Sequence, residues 1–472
     1  MAGNQEPLLV RRLANYAHRL SFKDLPIEVI HEVKRRILDS LGCAYGALHS
    51  TPGRIVRRLG GAIPIRKGAT LWGTPYRTTP EMAAFVNGSL VRYLDFNDTY
   101  LSKEPAHPSD NIPACLAIGE VTHAGGKDVI LAIVIAYELQ CRLCDAAALR
   151  PLGWDHVTYG AFSTALATSK LLKLSPETTA HALSLAGVTA GALRQTRVGE
   201  VSSWKACAFA NAARNGVFAT LAAQQGMTGP LDVFEGEKGF MRVISGQFSL
   251  PRLGGEQGAP FKILDTYIKP HPVEYHAQSA VEAAFQIRRM MRDSEGHFDV
   301  ASIATIEAIS FDVAIEIIGR DPQKWHPKTR ETADHSLPYC VAVALSDGGV
   351  SPQSFSPKRL ADKQLHDLVQ KVRVIEEPEF TARYPEAMST RLRVVTVKGR
   401  EYVAQVDYAP GHPRRPLSDQ GIELKFHRQA DRKIGKHSAN RLITRVWELE
   451  KMKDVGSLIG AMPVVTKYKV AC

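Results

Sequence analysis

The chain has 472 residues, of which 44% are hydrophobic and 23% are charged. This composition excludes an intrinsically disordered chain, and the length suits two domains better than one. The formal net charge is +11, but the cations alternate with acids and the densest basic clusters lack aromatic residues for base stacking. We therefore expect a small anionic ligand rather than nucleic acid.

The first part of the sequence, residues 1–265, is predicted to form a helical domain because apolar residues recur at three- and four-residue spacing. Ser175 followed by Pro176 marks one helix start, and Gly226 marks the end of an Ala-rich helix. The longest apolar run, VILAIVIAY, is too short to cross a bilayer. We expect it to belong to a buried helix over 128–149 that is capped by Asp128, and we expect no membrane partner.

Cysteine usage and the N-terminal sequence bear on location. The seven cysteines are scattered, which is typical of reduced intracellular thiols. Cys141 and Cys144 form a C-x-x-C pair inside the predicted buried helix, where two core residues are the better interpretation than a metal or iron–sulfur site. The N-terminus lacks a signal-peptide pattern, so a cytoplasmic location is expected.

The pattern changes after about residue 265. SIATIEAISFDVAI is strand-like, and STRLRVVTVKGREYVAQVDYAP predicts a hairpin that turns at Lys398-Gly399. Between them, an amphipathic helix is predicted from Leu365, Leu368, Val369 and Val372. Residues 266–408 are therefore predicted to form a smaller α+β domain, and residues 409–472 to return as helices to the first domain. The predicted fold class is mostly α.

Five segments carry polar residues beside apolar helices. They are YLDFNDTYLSKEPAHPSDN at 93–111, GWDHVTYG at 153–160, VSSWKACAFANAA at 201–213, IKPHPVEYHAQSA at 268–280 and KTRETADHSLPYCVA at 328–342. Each has an ordinary explanation on its own, such as a helix cap, a snorkelling lysine or a solvated loop. Phosphate-loop, dinucleotide, zinc-protease and nucleophile-elbow motifs are lacking, so no cofactor and no metal are expected.

Taken together, these segments and GHPRRPLSD resemble the MmgE/PrpD family, which includes 2-methylcitrate dehydratases and cis-aconitate decarboxylases. The resemblance covers essentially the whole chain. It implies a metal-free homodimer in which both chain ends build a helical domain and an α+β lid is inserted between them.

Carried over residue by residue, the resemblance implies catalytic roles for Asp95, His107 and Lys205. It implies substrate binding by Thr99, His156, Lys269, His276 and Tyr339. The chain departs from the decarboxylases in a longer segment before His107 and in Glu274, which stands where a decarboxylase has a histidine. It departs from a dehydratase in having Tyr100 and KEPA where tryptophan and glycine are found.

The resemblance leaves several reactions open. Dehydration of 2-methylcitrate needs cations for three carboxylates, a base for the proton beside a carboxylate and an acid for the departing hydroxide. His107 is a candidate acid, and Asp95 either acts as the base or orients His107. Decarboxylation of cis-aconitate needs the same cations and a proton donor but no base. A dicarboxylate epimerase is a third possibility, and a basic nucleic-acid-binding or scaffold protein belongs to a different class.

Overall fold

A computed structural model describes residues 8–199 and 201–465. The chain divides into two compact units. The first contains the described parts of Met1–Gly199, Ser203–Thr266 and Ser418–Cys472, and the second those of Glu200–Ser202 and Tyr267–Leu417. Helices predominate throughout the described residues, which confirms the predicted mostly-α class.

The first unit begins with a run of helices and one small antiparallel ribbon. The helices are α1 (Leu9–Arg19), α2 (Ile27–Ala47), α3 (Thr51–Gly61), α4 (Pro80–Tyr93), α5 (Ile112–Val121), α6 (Gly126–Ala146), α7 (Thr158–Leu171), α8 (Pro176–Val188) and α9 (Ala208–Gln224). The ribbon pairs β1 (Ala69–Thr70) with β2 (Arg77–Thr78). Ser175 caps α8 as predicted, since its hydroxyl accepts from the Thr178 amide. Residues 226–265 form only short 3-10 or π-helical turns, so the helical pattern predicted over residues 1–265 is wrong in this part.

Helix α6 is buried along most of its length. The predicted cap is wrong, because the helix follows Gly125 and Asp128 lies inside its first turn. Cys141 and Cys144 are free and buried, as expected of core residues. Glu138 pairs with Arg142 and accepts hydrogen bonds from backbone amides of the 254–262 segment, which explains how two charges are tolerated in an apolar helix. Within the described residues, no helix has the length and apolarity to cross a membrane.

The second unit packs helices against a four-stranded sheet. Its strands are β3 (Ile303–Ser310), β4 (Val372–Glu376), β5 (Thr390–Thr396) and β6 (Glu401–Val406), in the order β4-β3-β5-β6. Its helices are α10 (Gln278–Glu295), α11 (Asp312–Ala314), α12 (Arg330–Ala333), α13 (Leu337–Asp347), α14 (Pro357–Leu360), α15 (Lys363–Gln370) and α16 (Pro378–Arg383). The buried faces of α10 and α13 form the core together with apolar residues of the sheet.

The predicted hairpin is confirmed, with Leu392 opposite Ala404 and Val394 opposite Tyr402. The predicted amphipathic helix is only partly right, because Val372 is the first residue of β4 and not the last apolar residue of α15. Strand β4 runs parallel to β3 at the edge of the sheet.

The chain then returns to the first unit through α17 (Asp419–Ile434), α18 (Lys436–Trp447) and α19 (Gly456–Ile459). Helix α17 packs against α2, where the absence of a side chain at Gly42 lets Phe426 approach closely. The second unit continues beyond the predicted residue 408 to Leu417. One reason is that the Ile268 amide donates to the Gly411 carbonyl, which ties this segment back to its start.

Candidate active site

The loop that follows α4 begins with an unusual backbone conformation. Arg92 lies in the last turn of the helix, where a cation is stabilised by the helix dipole. Asp95 has φ +50, a left-handed conformation that aspartate adopts more readily than most residues. This conformation turns the chain sharply after the helix. Both side chains are buried, so their charges need partners.

Asp95 is held between two cations. One carboxylate oxygen accepts from Nη1 of Arg92, and the other accepts from Nζ of Lys205 at 3.1 Å. Lys205 is itself buried and lies in the turn Ser203–Ala206 that precedes α9. The predicted residues Asp95 and Lys205 are thus brought into direct contact although they are far apart in sequence.

His107 joins the same cluster through the second terminal nitrogen of Arg92, which donates to Nε2 at 2.8 Å. On the other side of the ring, Nδ1 lies 2.7 Å from the backbone carbonyl of Asp98 and 3.2 Å from the hydroxyl of Thr99. A carbonyl can only accept and a guanidinium can only donate. The partners therefore assign the proton to Nδ1 and the lone pair to Nε2, so the ring is a neutral imidazole.

His156 lies beside His107, with the two rings in an edge-to-face arrangement and 5.7 Å between their centroids. Burial lowers the pKa of His156 well below its usual range, and the neighbouring arginines act in the same direction. Burial raises the pKa of the adjacent Asp155, but nearby positive charge, chiefly the guanidinium of Arg197, and a backbone hydrogen bond together outweigh burial and bring the value down to about 2. The Asp155–Arg197 ion pair, at 2.8 Å, therefore faces a neutral His156.

Other polar residues of segment 93–111 hold the loop itself. Asp98 accepts from the Ser109 amide and from the Tyr137 hydroxyl. Glu104, in the longer segment before His107, accepts from the amides of Leu149 and Arg150. These two carboxylates accept hydrogen bonds from backbone amides and a hydroxyl that would otherwise be unpaired in the interior.

Asp110 lies beneath the cluster. One of its oxygens accepts from the Asn97 amide at 2.8 Å, and the other lies 3.8 Å from Nε of Arg92. Burial raises the pKa of Asp110 to about 7, against the opposing effect of Arg92. Asp110 is therefore a buried carboxyl group that is partly protonated at neutral pH.

The remaining predicted residues, Lys269, His276 and Tyr339, belong to the second unit. His276 places Nδ1 at 2.8 Å and 3.0 Å from the two carboxylate oxygens of Glu274. Burial raises the pKa of Glu274, but His276, His335 and Lys269 bring it down to about 2.

Tyr339 is fully buried in α13 and donates its hydroxyl to the Ser354 carbonyl at 2.8 Å. This position is typical of a core side chain that packs against its neighbours and makes a local hydrogen bond. Substrate binding by Tyr339 stays a prediction that rests on the family resemblance.

Sequence reasoning missed Arg92 and Arg197. Arg92 is the residue that joins Asp95 to His107, and its position three residues before Asp95 in an apolar helix was the available signal. A single cation at a helix end is usually a solvated or dipole-stabilising residue, so the sequence alone did not separate it from that explanation.

Comparison with known proteins shows two family matches. Residues 11–252 match the MmgE/PrpD N-terminal domain, and residues 271–451 match the MmgE/PrpD C-terminal domain.

Individual relatives carry two different names. A probable 2-methylcitrate dehydratase of Saccharomyces cerevisiae is 28% identical over 458 residues, which cover 89% of this chain and 85% of the relative. The 2-methylcitrate dehydratase of Salmonella typhimurium is 30% identical over 407 residues, or 80% of this chain and 81% of the relative. The cis-aconitate decarboxylase of Mus musculus is 27% identical over 465 residues, which cover 94% of this chain and 91% of the relative. These identities do not separate the two activities, but the family matches agree on one conclusion: the chain belongs to the MmgE/PrpD family.

Proposed function

We propose that the protein is a hydro-lyase that dehydrates 2-methylcitrate, or a closely similar tricarboxylate, to 2-methyl-cis-aconitate without a metal ion. The names of the bacterial and yeast relatives support this class of reaction. The observation that carries the proposal is the neutral ring of His107, whose Nε2 holds a lone pair. Dehydration requires a base, whereas decarboxylation of cis-aconitate requires a proton donor instead.

The roles follow from the contacts. His107 takes the proton from the carbon beside a substrate carboxylate, and the imidazolium so formed gives this proton to the departing hydroxide, which leaves as water. His107 thus acts first as the base and then as the acid expected from the sequence. Asp95 accepts hydrogen bonds from Arg92 and Lys205, and its role is to position these cations. Lys205 stabilises the negative charge that develops on the substrate carboxylate.

Further residues complete the proposal. The hydroxyl of Thr99 positions the substrate by hydrogen bonding, and His156 provides a neutral buried imidazole beside His107. Lys269, His276 and Tyr339 stay proposed substrate contacts on the strength of the family resemblance. The resemblance also supports a homodimer, which sedimentation of the purified protein would check.

The test is an ultraviolet absorbance assay for the conjugated alkene acid, on EDTA-treated protein supplied with 2-methylcitrate or with citrate. We expect absorbance to rise with 2-methylcitrate, and the rise to be lost in Asp95→Asn protein. If absorbance stays flat and the same protein releases CO₂ from cis-aconitate, the decarboxylase is the correct assignment and the proposal fails.

A further inference from the structure

We propose that Arg92 is a receptor for a substrate carboxylate, and that a bound carboxylate draws it away from His107 and so exposes the base. This inference deepens the proposed function and rests on it for the identity of the base. Without such a step, the lone pair of His107 stays occupied by the guanidinium, at 2.8 Å, and cannot accept a proton from substrate.

The argument begins with the way Arg92 divides its donors. Nη1 donates to the carboxylate of Asp95, whereas Nη2 donates to a neutral imidazole nitrogen. A guanidinium binds carboxylates best, because two of its N–H groups can match two oxygens and the bond joins opposite charges. The bond to His107 is therefore the weaker of the two, and it is the one that a substrate carboxylate would replace.

The surroundings allow this exchange with little movement. Lys205 holds the second oxygen of Asp95 at 3.1 Å, so Asp95 stays in place when Arg92 shifts. His107 keeps its ring orientation through the 2.7 Å bond from Nδ1 to the Asp98 carbonyl. In this exchange Nη2 of Arg92 moves to the substrate carboxylate, which removes its N–H group from the lone pair on Nε2 of His107.

Such an exchange would make the enzyme selective for molecules that carry a carboxylate within reach of Arg92. A molecule without a carboxylate in reach of Arg92 would leave His107 blocked, and its proton would not be removed. Binding energy from a remote carboxylate would thus be used to prepare the base rather than only to hold the substrate.

The test uses tricarballylate, a tricarboxylate that has no hydroxyl group and cannot be dehydrated. Its binding is measured by calorimetry for the wild-type protein, for Arg92→Lys and for Arg57→Lys. Arg57 is the matched control, because it is a buried arginine of α3 that donates to the backbone carbonyls of Gly53 and Leu48. Nitrogen NMR of histidine-labelled protein follows Nε2 of His107, which is assigned from the signal lost in His107→Gln.

We expect tricarballylate to bind the wild type and Arg57→Lys similarly, and to bind Arg92→Lys roughly 10- to 100-fold more weakly, because an ammonium lacks the two terminal nitrogens by which a guanidinium holds two acceptors in fixed geometry. On saturation of the wild type, the Nε2 signal of His107 should move to that of a nitrogen without a donor.

Three results would overturn the inference: no binding of tricarballylate by the wild type, equal affinity of a folded Arg92→Lys, or an unchanged Nε2 signal at saturation. If Arg92→Lys does not fold, the wild-type titration alone decides. If the binding results are as expected but 2-methylcitrate is not dehydrated, the receptor role of Arg92 stands and the proposed function fails.

Discussion

Asp95 and Asp98 lie three residues apart in one loop, are both buried, and have different kinds of partner. Asp98 accepts from the Ser109 amide at 3.0 Å and from the Tyr137 hydroxyl at 2.7 Å, which are neutral groups of the fold. The buried guanidinium of Arg36 lies 3.7 Å from its carboxylate, beyond hydrogen-bonding distance. Asp95 accepts from Arg92 and Lys205, which are two cations. The two carboxylates of this loop therefore differ in whether cations hydrogen-bond to them directly, and we use this difference to separate the proposed reactive residue from the structural one.

Two buried lysines of the first unit, Lys205 and Lys425, show a similar contrast. Lys205 donates to Asp95 inside the candidate site. Lys425, in α17, donates to the Phe96 carbonyl at 2.7 Å and pairs with Asp39 of α2. Lys425 thereby fixes the loop to the helices beneath it. The substitutions below separate the proposed reactive residues from the structural ones, and they begin with the largest expected effect.

Replacing His107 by glutamine should remove the proposed base and lower kcat for 2-methylcitrate by roughly 10²- to 10⁴-fold. The measurement is the rate of alkene formation at saturating substrate. His123→Gln is the control, because His123 pairs with Asp454 at 2.9 Å on the surface of the same unit. Equal rates for the two variants would place the chemistry elsewhere.

Replacing Lys205 by methionine should lower kcat by roughly 10- to 100-fold and also raise KM, since the cation that binds the substrate carboxylate and stabilises its developing charge is lost. Lys425→Met should leave KM unchanged but lower the free energy of unfolding by about 3 kcal/mol, because an interior ion pair is broken. Kinetics and chemical denaturation of both variants measure this. A KM change in Lys425→Met alone would reverse the assignment of the two lysines.

Asp110 should make the stability of the protein depend on pH. Because its pKa is raised to about 7, the folded protein keeps a proton that the unfolded chain releases above about pH 4. Its contribution to stability is therefore complete below about pH 4 and is lost as the pH rises towards 7. The side chain at position 110 cannot ionise in the Asp110→Asn variant. The free energy of unfolding of this variant should therefore rise relative to that of the wild type across this range, by on the order of 2–4 kcal/mol.

Urea denaturation at a series of pH values measures this gain. Asp155→Asn is the opposite control. The pKa of Asp155 is lowered to about 2, so its contribution is present above about pH 4 and is lost as the pH falls towards 2. Parallel stability curves for the wild type and Asp110→Asn would contradict the burial of Asp110 as an uncharged group.

Asp98→Asn should have the smallest effect on chemistry and a clear effect on stability. The amide retains one acceptor oxygen, so one of the two bonds from Ser109 and Tyr137 is lost, at a cost of about 1–3 kcal/mol. Thermal or urea denaturation measures this cost. Wild-type stability for the variant would mean that water replaces the lost bond and that Asp98 is not a structural anchor.

Much of the fold was predictable because local signals agreed with the tertiary structure. Ser175 before Pro176 fixed a helix start, and alternation on both sides of Gly399 fixed a hairpin. Strand β4 was missed because only Val372 among its residues is buried, so its alternation is weak. The strand also follows α15 almost directly. The end of the second unit at Leu417 depends on a bond between distant backbones, which no local pattern reports.

The candidate site was less accessible to sequence reasoning. Asp95, His107 and Lys205 were identified from the family resemblance, and the structure brings them together through Arg92. Their protonation could not be predicted, since it depends on whether each nitrogen of His107 faces a donor or an acceptor. That information exists only once the helix end, the loop and the turn before α9 are placed in space.

The most direct test of the account is the turnover of 2-methylcitrate by Asp95→Asn and Asp98→Asn, measured side by side as kcat/KM per folded molecule. We predict that Asp95→Asn loses roughly 10²- to 10⁴-fold, because Arg92 and Lys205 lose their shared anchor, while Asp98→Asn stays within about 10-fold of the wild type. Equal losses in the two variants, or near-normal turnover by Asp95→Asn, would contradict the central claim that the cations around Asp95 mark the reactive part of this loop.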